Sequence, residues 1–406
     1  MKRPRLIIVP GKEKAIQRRH PWIFSGAVKR IDGTPAEGDI VDVVDAHGQW
    51  LCSGHYQNES IICKVLSFDT PDIDDAFFRA RIHSAIAYRE RMGLFDYYKQ
   101  SSNQAIKQSS NVFRLVHAEG DYLPGLVCDW YNGVLVMQAH TVGMHSIFPM
   151  LSVVFQEELK PYGIKAIFDK SSATVPGGCD DGYIWGITPD EWEIEESDNR
   201  LLINFYEGQK TGFFIDQREN RALVQQLAKG HRVLNCFGYT GGFSLAALRG
   251  GAEYVETVDI SKKAIELCNR NVELNFGMDA AHKGTVADVL QYIQTIKQSN
   301  NQAFDFIILD PPAFAKNHRS LQQGLKGYRT INQKAMEYLP EGGMLMTFSC
   351  SQAVSKDDFR TMIFSSAALA GRRVRVVREL PHAMDHPVSI YHPEGEYLKG
   401  LLLQVE

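Results

Sequence analysis

No C-x-x-C pair occurs in this chain, although it holds seven cysteines, at positions 52, 63, 128, 179, 236, 268 and 350. Scattered singly and odd in number, they argue against a disulfide framework and against structural zinc. No apolar run approaches the roughly 18 residues of a membrane span. The opening Met1-Lys2-Arg3-Pro4-Arg5 leads only into Leu6-Ile7-Ile8-Val9 before Pro10-Gly11. That is too short for a signal peptide, so a cytoplasmic location is expected, with no membrane and no metal among its partners. Coiled-coil heptads are missing too, and so is the G-x-G-x-x-G spacing of a dinucleotide site.

What is present is the composition of an ordinary soluble protein, 406 residues with 44% hydrophobic and 23% charged content, enough for roughly two to three domains. The net charge of −4 conceals an asymmetry. Residues 1–30 hold nine bases and one acid, Glu13, which leaves −12 on the remainder. A basic segment on a mildly acidic body suits a polyanion, and nucleic acid is the commonest such partner. Arg18 and Arg19 are the expected contacts, and a merely solvated charge run is the plain alternative.

Residues 1–70 alternate short β-prone runs with turns such as Asp32-Gly33, Glu37-Gly38 and His47-Gly48, the spacing of a small β-barrel. The period of Ile73, Phe77, Phe78, Ile82 and Ile86 predicts a helix over 72–93, and the Ser- and Gln-rich stretch 96–110 a loop. Residues 71–205 read as this linker helix plus a central α+β module, with strands at 112–116, 125–129, 134–138, 166–169 and 201–205 and a helix over 145–159. Over 206–406, strands at 233–236, 254–259, 306–310 and 343–349 alternate with helices. That alternation predicts an α/β fold with a mainly parallel sheet covered on both faces. The runs 374–379 and 398–405 are expected to make an antiparallel edge hairpin.

Ligands of such sheets sit at the carboxyl ends of the strands. Strand 233–236 runs into Phe237-Gly238-Tyr239-Thr240-Gly241-Gly242, whose glycines allow close backbone approach and whose following helix offers free N–H groups. No Lys-Ser or Lys-Thr follows, so a nucleoside is favoured over a pyrophosphate. Asp259 ends the next strand about 20 residues later, where an acid accepts from ribose hydroxyls; a helix cap is its plain alternative. Asp288 is placed to meet an adenine amino group. Asp310-Pro311-Pro312-Ala313-Phe314 fixes a carboxylate and an aromatic ring at the mouth of the site. Cys350, inside Thr347-Phe348-Ser349-Cys350-Ser351, ends one more strand. Carbon 5 of a pyrimidine is not nucleophilic until a group adds at carbon 6, and a thiolate supplies that activation. Cys236, on the first strand, is the inert counterpart. Ahead of the sheet, Gln209 to Arg218 sets aromatics beside an amide, a cation and an acid, which points to a lid over a cofactor.

Taken together, these residues resemble the S-adenosylmethionine-dependent methyltransferases that make 5-methylcytosine in 23S ribosomal RNA. The match takes in Gln209 to Arg218, Leu234 to Phe243, Asp310-Pro311-Pro312, Thr347 to Ser351 and the closing Tyr397-Leu398-Lys399-Gly400. Arg18 to Ala27 resembles the PUA RNA-binding domain that precedes the catalytic domain in that family. The resemblance implies a PUA β-barrel, a central α+β domain and a C-terminal Rossmann-like class I methyltransferase domain. It implies that S-adenosyl-L-methionine is held by Phe237, Gly238, Tyr239, Thr240, Gly241, Asp259, Asp288 and Asp310, with Thr211, Phe213, Asp216, Gln217 and Arg218. By the same resemblance Asp310 contacts the cytosine and Cys350 attacks it. Pro311, Pro312, Phe314 and Lys316, with Arg18 and Arg19, would face the RNA.

Better-known RNA 5-methylcytosine enzymes place a Cys directly after the Asp-Pro motif; here Ala313 stands there, which leaves Cys350 as the only motif cysteine. The implied partner is 23S ribosomal RNA or an assembling large subunit, and enzymes of this type occur as monomers and as homodimers. Two other readings stay open. One is methylation of an adenine or guanine amino group, which Asp-Pro-Pro-x-Phe also suits. The other is a ribosome-assembly or RNA-binding factor without turnover.

Overall fold

The computed structural model describes residues 3–98, 110–299, 304–315 and 317–406. Most of the expected loop 96–110 and Lys316 lie outside the described residues. The chain divides into two units, one of residues 1–194, 203–215 and 384–395, the other of 195–202, 216–383 and 396–406.

The first unit begins with β1 (Arg5–Ile8), α1 (Glu13–Gln17), β2 (Trp22–Phe24), β3 (Val28–Asp32), β4 (Ile40–Val44), β5 (Trp50–Tyr56) and β6 (Ile61–Ser67). The strands pair in the order β2-β6-β5-β4-β1-β3 around Leu6, Ile8, Ile23, Val41, Val43 and Val65, the expected barrel. Sequence reading passes over β3 because its residues are largely exposed and charged. Helix α2 (Asp75–Arg91) follows, its start fixed by Asp74, which accepts from Phe77 N–H at 2.9 Å.

The α+β module adds β7 (Val112–His117), β8 (Leu126–Tyr131), β9 (Val134–Ala139), α3 (Val142–Ser146), α4 (Phe148–Glu158), β10 (Ala166–Asp169) and β11 (Gly182–Trp185), with sheet order β11-β10-β9-β8-β7. Asn132 and Gly133 both take left-handed angles, φ 49° and 94°, so the β8–β9 connection is the tight hairpin that Asn-Gly favours. Strands β12 (Glu191–Glu196) and β13 (Asn199–Asn204) pair with each other alone.

The second unit contains α5 (Arg218–Leu227), β14 (Arg232–Cys236), α6 (Gly242–Arg249), β15 (Tyr254–Asp259), α7 (Lys262–Phe276), β16 (His282–Val286), α8 (Val289–Ser299), β17 (Phe306–Leu309), α9 (Leu321–Tyr338), β18 (Gly343–Ser349), α10 (Lys356–Ala370), β19 (Val374–Glu379) and β20 (Lys399–Val405). Its seven strands run in the order β16-β15-β14-β17-β18-β20-β19. The first five are parallel, as expected, and β20 is antiparallel to both its neighbours. The expected terminal hairpin exists, but of its two strands only β19 lies at an edge of the sheet. Leu401-Leu402-Leu403 of β20 are buried and suit an inner strand, whereas β19 exposes Arg375, Arg378 and Glu379 to solvent. Among the described residues no helix is long and apolar enough to cross a membrane.

Candidate active site

The winding of the parallel sheet reverses between β14 and β17, and the crevice outside that reversal is where such sheets take ligands. The turn after β14 occupies it. Phe237 and Tyr239 are left-handed, φ 57° and 46°, and Gly241 has φ 88°. Each non-glycine residue of this kind costs roughly 1–3 kcal/mol, so its neighbours must impose it. Here Tyr239 N–H donates to Asp259 Oδ2 at 3.0 Å, and Gly238 N–H donates to the Val258 carbonyl at 3.2 Å. A Cβ on Gly238 would lie 2.3 Å from Thr257 Cγ2, which leaves room for glycine alone. Beneath the turn Asn235 donates to Ser244 Oγ at 2.9 Å and Ser244 pairs with Thr257 at 2.6 Å, a buried polar strut joining β14, α6 and β15. Thr240 Oγ1 is buried with no hydrogen-bond partner among the described residues.

Asp259 takes a second N–H, from Ser261 at 2.8 Å. Ser261 itself caps α7, so Asp259 is not that helix's cap. Each carboxylate oxygen keeps lone-pair capacity for a hydroxyl donor. Beside it Ile260 is 74% exposed, an apolar shelf at the strand end. Sequence reading missed Ile260, since a lone isoleucine between Asp and Ser forms no pattern. A strained turn, a hydroxyl-accepting carboxylate and an apolar face together fit a nucleoside cofactor. Asp288 is exposed and accepts from Gln291 N–H at 2.9 Å as α8 begins.

From β17 the chain enters Asp310-Pro311-Pro312. Phe314 N–H donates to Tyr328 Oη at 3.3 Å, Ala315 N–H donates to Ser351 Oγ at 3.2 Å, and those two hydroxyls lie 2.9 Å apart. The Phe314 and Tyr328 ring centroids are 4.6 Å apart. The motif is thereby fastened to the end of β18. Cys350 follows that end, half-buried, with Sγ 3.9 Å from the Pro311 carbonyl oxygen.

The pairing of Ser349 with Lys399 brings a buried ammonium to the same end, where Lys399 Nζ donates to the Ser351 carbonyl at 2.6 Å. Burial pushes the Lys399 ammonium down to about 8, and Cys350 acts in the opposite sense. A cation beside a thiol favours the thiolate. Lys399 is a buried cation at this strand end that sequence reading left without a role. Its signal is the strand register, since in sequence it is only the polar start of an apolar run.

The run 209–218 is divided. Thr211 and Phe213 are buried in the first unit, where the Thr211 hydroxyl bonds Asp129 and lies 2.9 Å from Tyr131 Oη. Asp216, Gln217 and Arg218 are buried in the second, where Asp216 Oδ2 accepts from Tyr397 Oη at 2.7 Å. All five side chains are buried. On the barrel Arg18 ends α1, and Arg19, with φ 61°, pairs with Asp69 at 2.7 Å.

A glycine-bearing turn, an acid at the next strand end and a proline-fixed acid beside a thiol, all at the carboxyl ends of strands of one parallel sheet, define a nucleoside-binding α/β enzyme. Residues 176–385 match the S-adenosylmethionine-dependent methyltransferase family and residues 6–68 match the PUA-like domain. Ribosomal RNA large subunit methyltransferase I of Escherichia coli (strain SMS-3-5 / SECEC) is 37% identical over 412 residues, with 99% of each chain covered. The protein of the same name from Citrobacter koseri is 37% identical over 408 residues, again with 99% of each covered. The fold is similar to the crystal structure of SMU.776 complexed with SAH, at TM-score 0.84 and 20% identity, covering 98% of this chain and 99% of that one. The chain belongs to the S-adenosylmethionine-dependent methyltransferase family and carries a PUA-like domain ahead of its catalytic sheet.

Proposed function

We propose that this protein methylates carbon 5 of a cytosine in 23S ribosomal RNA, with Cys350 as the nucleophile. The name shared by its full-length relatives, the PUA-like domain and the basic N-terminal segment support the substrate. The observation that carries the chemistry is the half-buried Cys350 thiol beside a buried Lys399 ammonium, next to Asp310-Pro311. Methylation of an exocyclic amine needs neither the thiol nor the cation.

When bound, S-adenosylmethionine supplies an electrophilic methyl group. The turn 237–241, Asp259, Ile260 and Asp288 would hold it. Lys399 would favour the Cys350 thiolate, which adds to carbon 6 of a cytosine extruded from the RNA. The new C–S bond shifts the ring's electron pair onto carbon 5, which becomes nucleophilic. Asp310 holds or protonates the ring while the adduct stands. Once carbon 5 is methylated, loss of its proton restores the 5,6 double bond and expels the thiolate. Pro311, Pro312 and Phe314, with Arg18 and Arg19, would contact the RNA; Lys316 lies outside the described residues.

Incubation of the protein with unmodified 23S RNA and methyl-labelled cofactor, followed by nucleoside mass spectrometry, is the test. Labelled 5-methylcytidine is the expected product. Label on an adenine or guanine amine would reassign Asp310-Pro311-Pro312 to amine chemistry and return Cys350 to a structural role. Absence of label despite cofactor binding would favour an RNA-binding factor.

A further inference from the structure

The first unit contains a cavity of about 280 Å³. Arg19 and Phe68 line it from the barrel, Arg81 from α2, Glu119 and Tyr122 from the stretch after β7, and Tyr391 from segment 384–395. The guanidinium of Arg81 stacks between two rings, 5.2 Å from the Phe77 centroid and 5.4 Å from that of Tyr122. Among the described residues Arg81 makes no hydrogen bond and no close ion pair, and Asp69 acts on it only at longer range. Partial burial strips water from it and pushes its pKa below the ordinary arginine value, with Asp69 opposing. The five N–H donors of this planar group thus have no acceptor among the described residues.

The rest of the wall is equally prepared. Tyr122 has a left-handed backbone, φ 58°, and is 53% exposed; Tyr391 is 44% exposed. The two acids in the wall are already engaged, Asp69 by the Arg19 guanidinium at 2.7 Å, which partly compensates its charge, and Glu119 as acceptor from Trp22 Nε1–H at 2.8 Å. A fixed guanidinium beside exposed aromatic rings matches a phosphate joined to an unpaired base, because bases stack on aromatic side chains whatever their sequence. The volume sits near the small end of ligand pockets, roughly 300–1,000 Å³, and is too narrow for a duplex.

We propose that this cavity is a second nucleotide subsite, in which Arg81 takes a phosphate of single-stranded RNA and an adjacent unpaired base stacks on Tyr122 and Tyr391. Its lining belongs to the first unit, whereas Cys350 belongs to the second, and it would fix the substrate strand on the first unit. The proposal rests on the RNA-substrate reading above.

The test measures the affinity of the full chain for unmodified 23S RNA across a salt series, alongside S-adenosylhomocysteine binding. Arg81→Gln is expected to weaken RNA binding about tenfold and to reduce the salt slope by about one. Tyr391→Ala, at an exposed position, should weaken binding severalfold with the slope unchanged. Arg79→Gln is the control on the same helix, exposed and paired with Glu157 at 2.6 Å, and should change affinity by less than about twofold. All three variants should bind S-adenosylhomocysteine as the unaltered chain does. If Arg81→Gln and Tyr391→Ala both match an RNA-binding parent in affinity and slope, the subsite is overturned and the RNA reading stands. If the parent itself binds no RNA, both are overturned.

Discussion

Seven thiols share one chemistry and are separated by their surroundings. Burial holds the thiols of Cys52, Cys63, Cys128, Cys236 and Cys268 above the ordinary range, with Cys268 raised to about 12. Cys350 is half-buried at a strand end with Lys399 beside it. Replacing Cys350 with Ala should abolish turnover while calorimetry shows S-adenosylhomocysteine binding unchanged; surviving turnover would sink the covalent route. Cys236→Ala should keep turnover at a stability cost of about 1 kcal/mol for the small void it leaves.

Lys399 gives a second test at this scale. Removing its cation with Lys399→Met should move the rise of kcat/KM with pH to higher pH, and Lys399→Arg should restore much of the original profile. Stability adds an independent readout. The Lys399 pKa is lowered on folding to about 8, so above that pH the unfolded chain holds more protons than the folded one. Stability from this group therefore rises with pH from about 8 to the ordinary lysine range, whereas its buried charge opposes folding at lower pH. Urea unfolding across that window should show the rise in the unaltered chain and lose it in Lys399→Met.

At the scale of elements, the legible parts are those whose local chemistry already decides their state. The β-turn dipeptides of the barrel, the Asn132-Gly133 hairpin and the strands around Val233 and Ile307 could be read from sequence, because turn residues and apolar runs act locally. Strand β16 was missed. Its His282-Lys283-Gly284-Thr285-Val286 sits at the sheet edge and buries none of its residues fully, so no apolar run announces it. The insertion of β20 was also hidden, since pairing order depends on which strand another strand covers. The same limit concealed Lys399, whose partner across the register is Ser349.

Gly238, by contrast, could be recognised as important but not for its full reason. Sequence gives a tight turn, and only the structure brings Thr257 Cγ2 within 2.3 Å of the missing Cβ. Gly238→Ala should cost about 1–3 kcal/mol through overpacking and weaken S-adenosylhomocysteine binding. Adding Thr257→Ser removes the clashing methyl and keeps the hydroxyl that meets Ser244, so the double variant should recover part of both losses. Equal damage in single and double variants would place the fault elsewhere in the turn.

Across the whole molecule, the chain order and the packing order differ. Residues 384–395 follow six strands of the catalytic sheet yet belong to the first unit. Asp385 explains why. Its carbonyl accepts from Arg89 Nη2 at 2.8 Å, and its carboxylate accepts from Arg114 N–H at 2.8 Å. Arg89 is fully buried, and it also donates to the Arg114 carbonyl at 2.9 Å and to Asp121 Oδ2 at 2.9 Å. One guanidinium therefore joins α2, β7, the turn at Asp121 and a segment 296 residues away in sequence. No local pattern reveals such a residue, since Arg89 looks like its exposed neighbour Arg91 until the fold closes. Arg89→Met strips the cation from a buried carboxylate, and the first unit's unfolding transition should lose about 3–5 kcal/mol. Arg89→Met with Asp121→Leu removes both charges and should recover most of that loss, because an apolar pair of similar volume is tolerated where a lone ion is not. Denaturant unfolding of the three proteins decides it: if the double variant is no more stable than Arg89→Met, the contacts to the Arg114 and Asp385 carbonyls matter more than the ion pair.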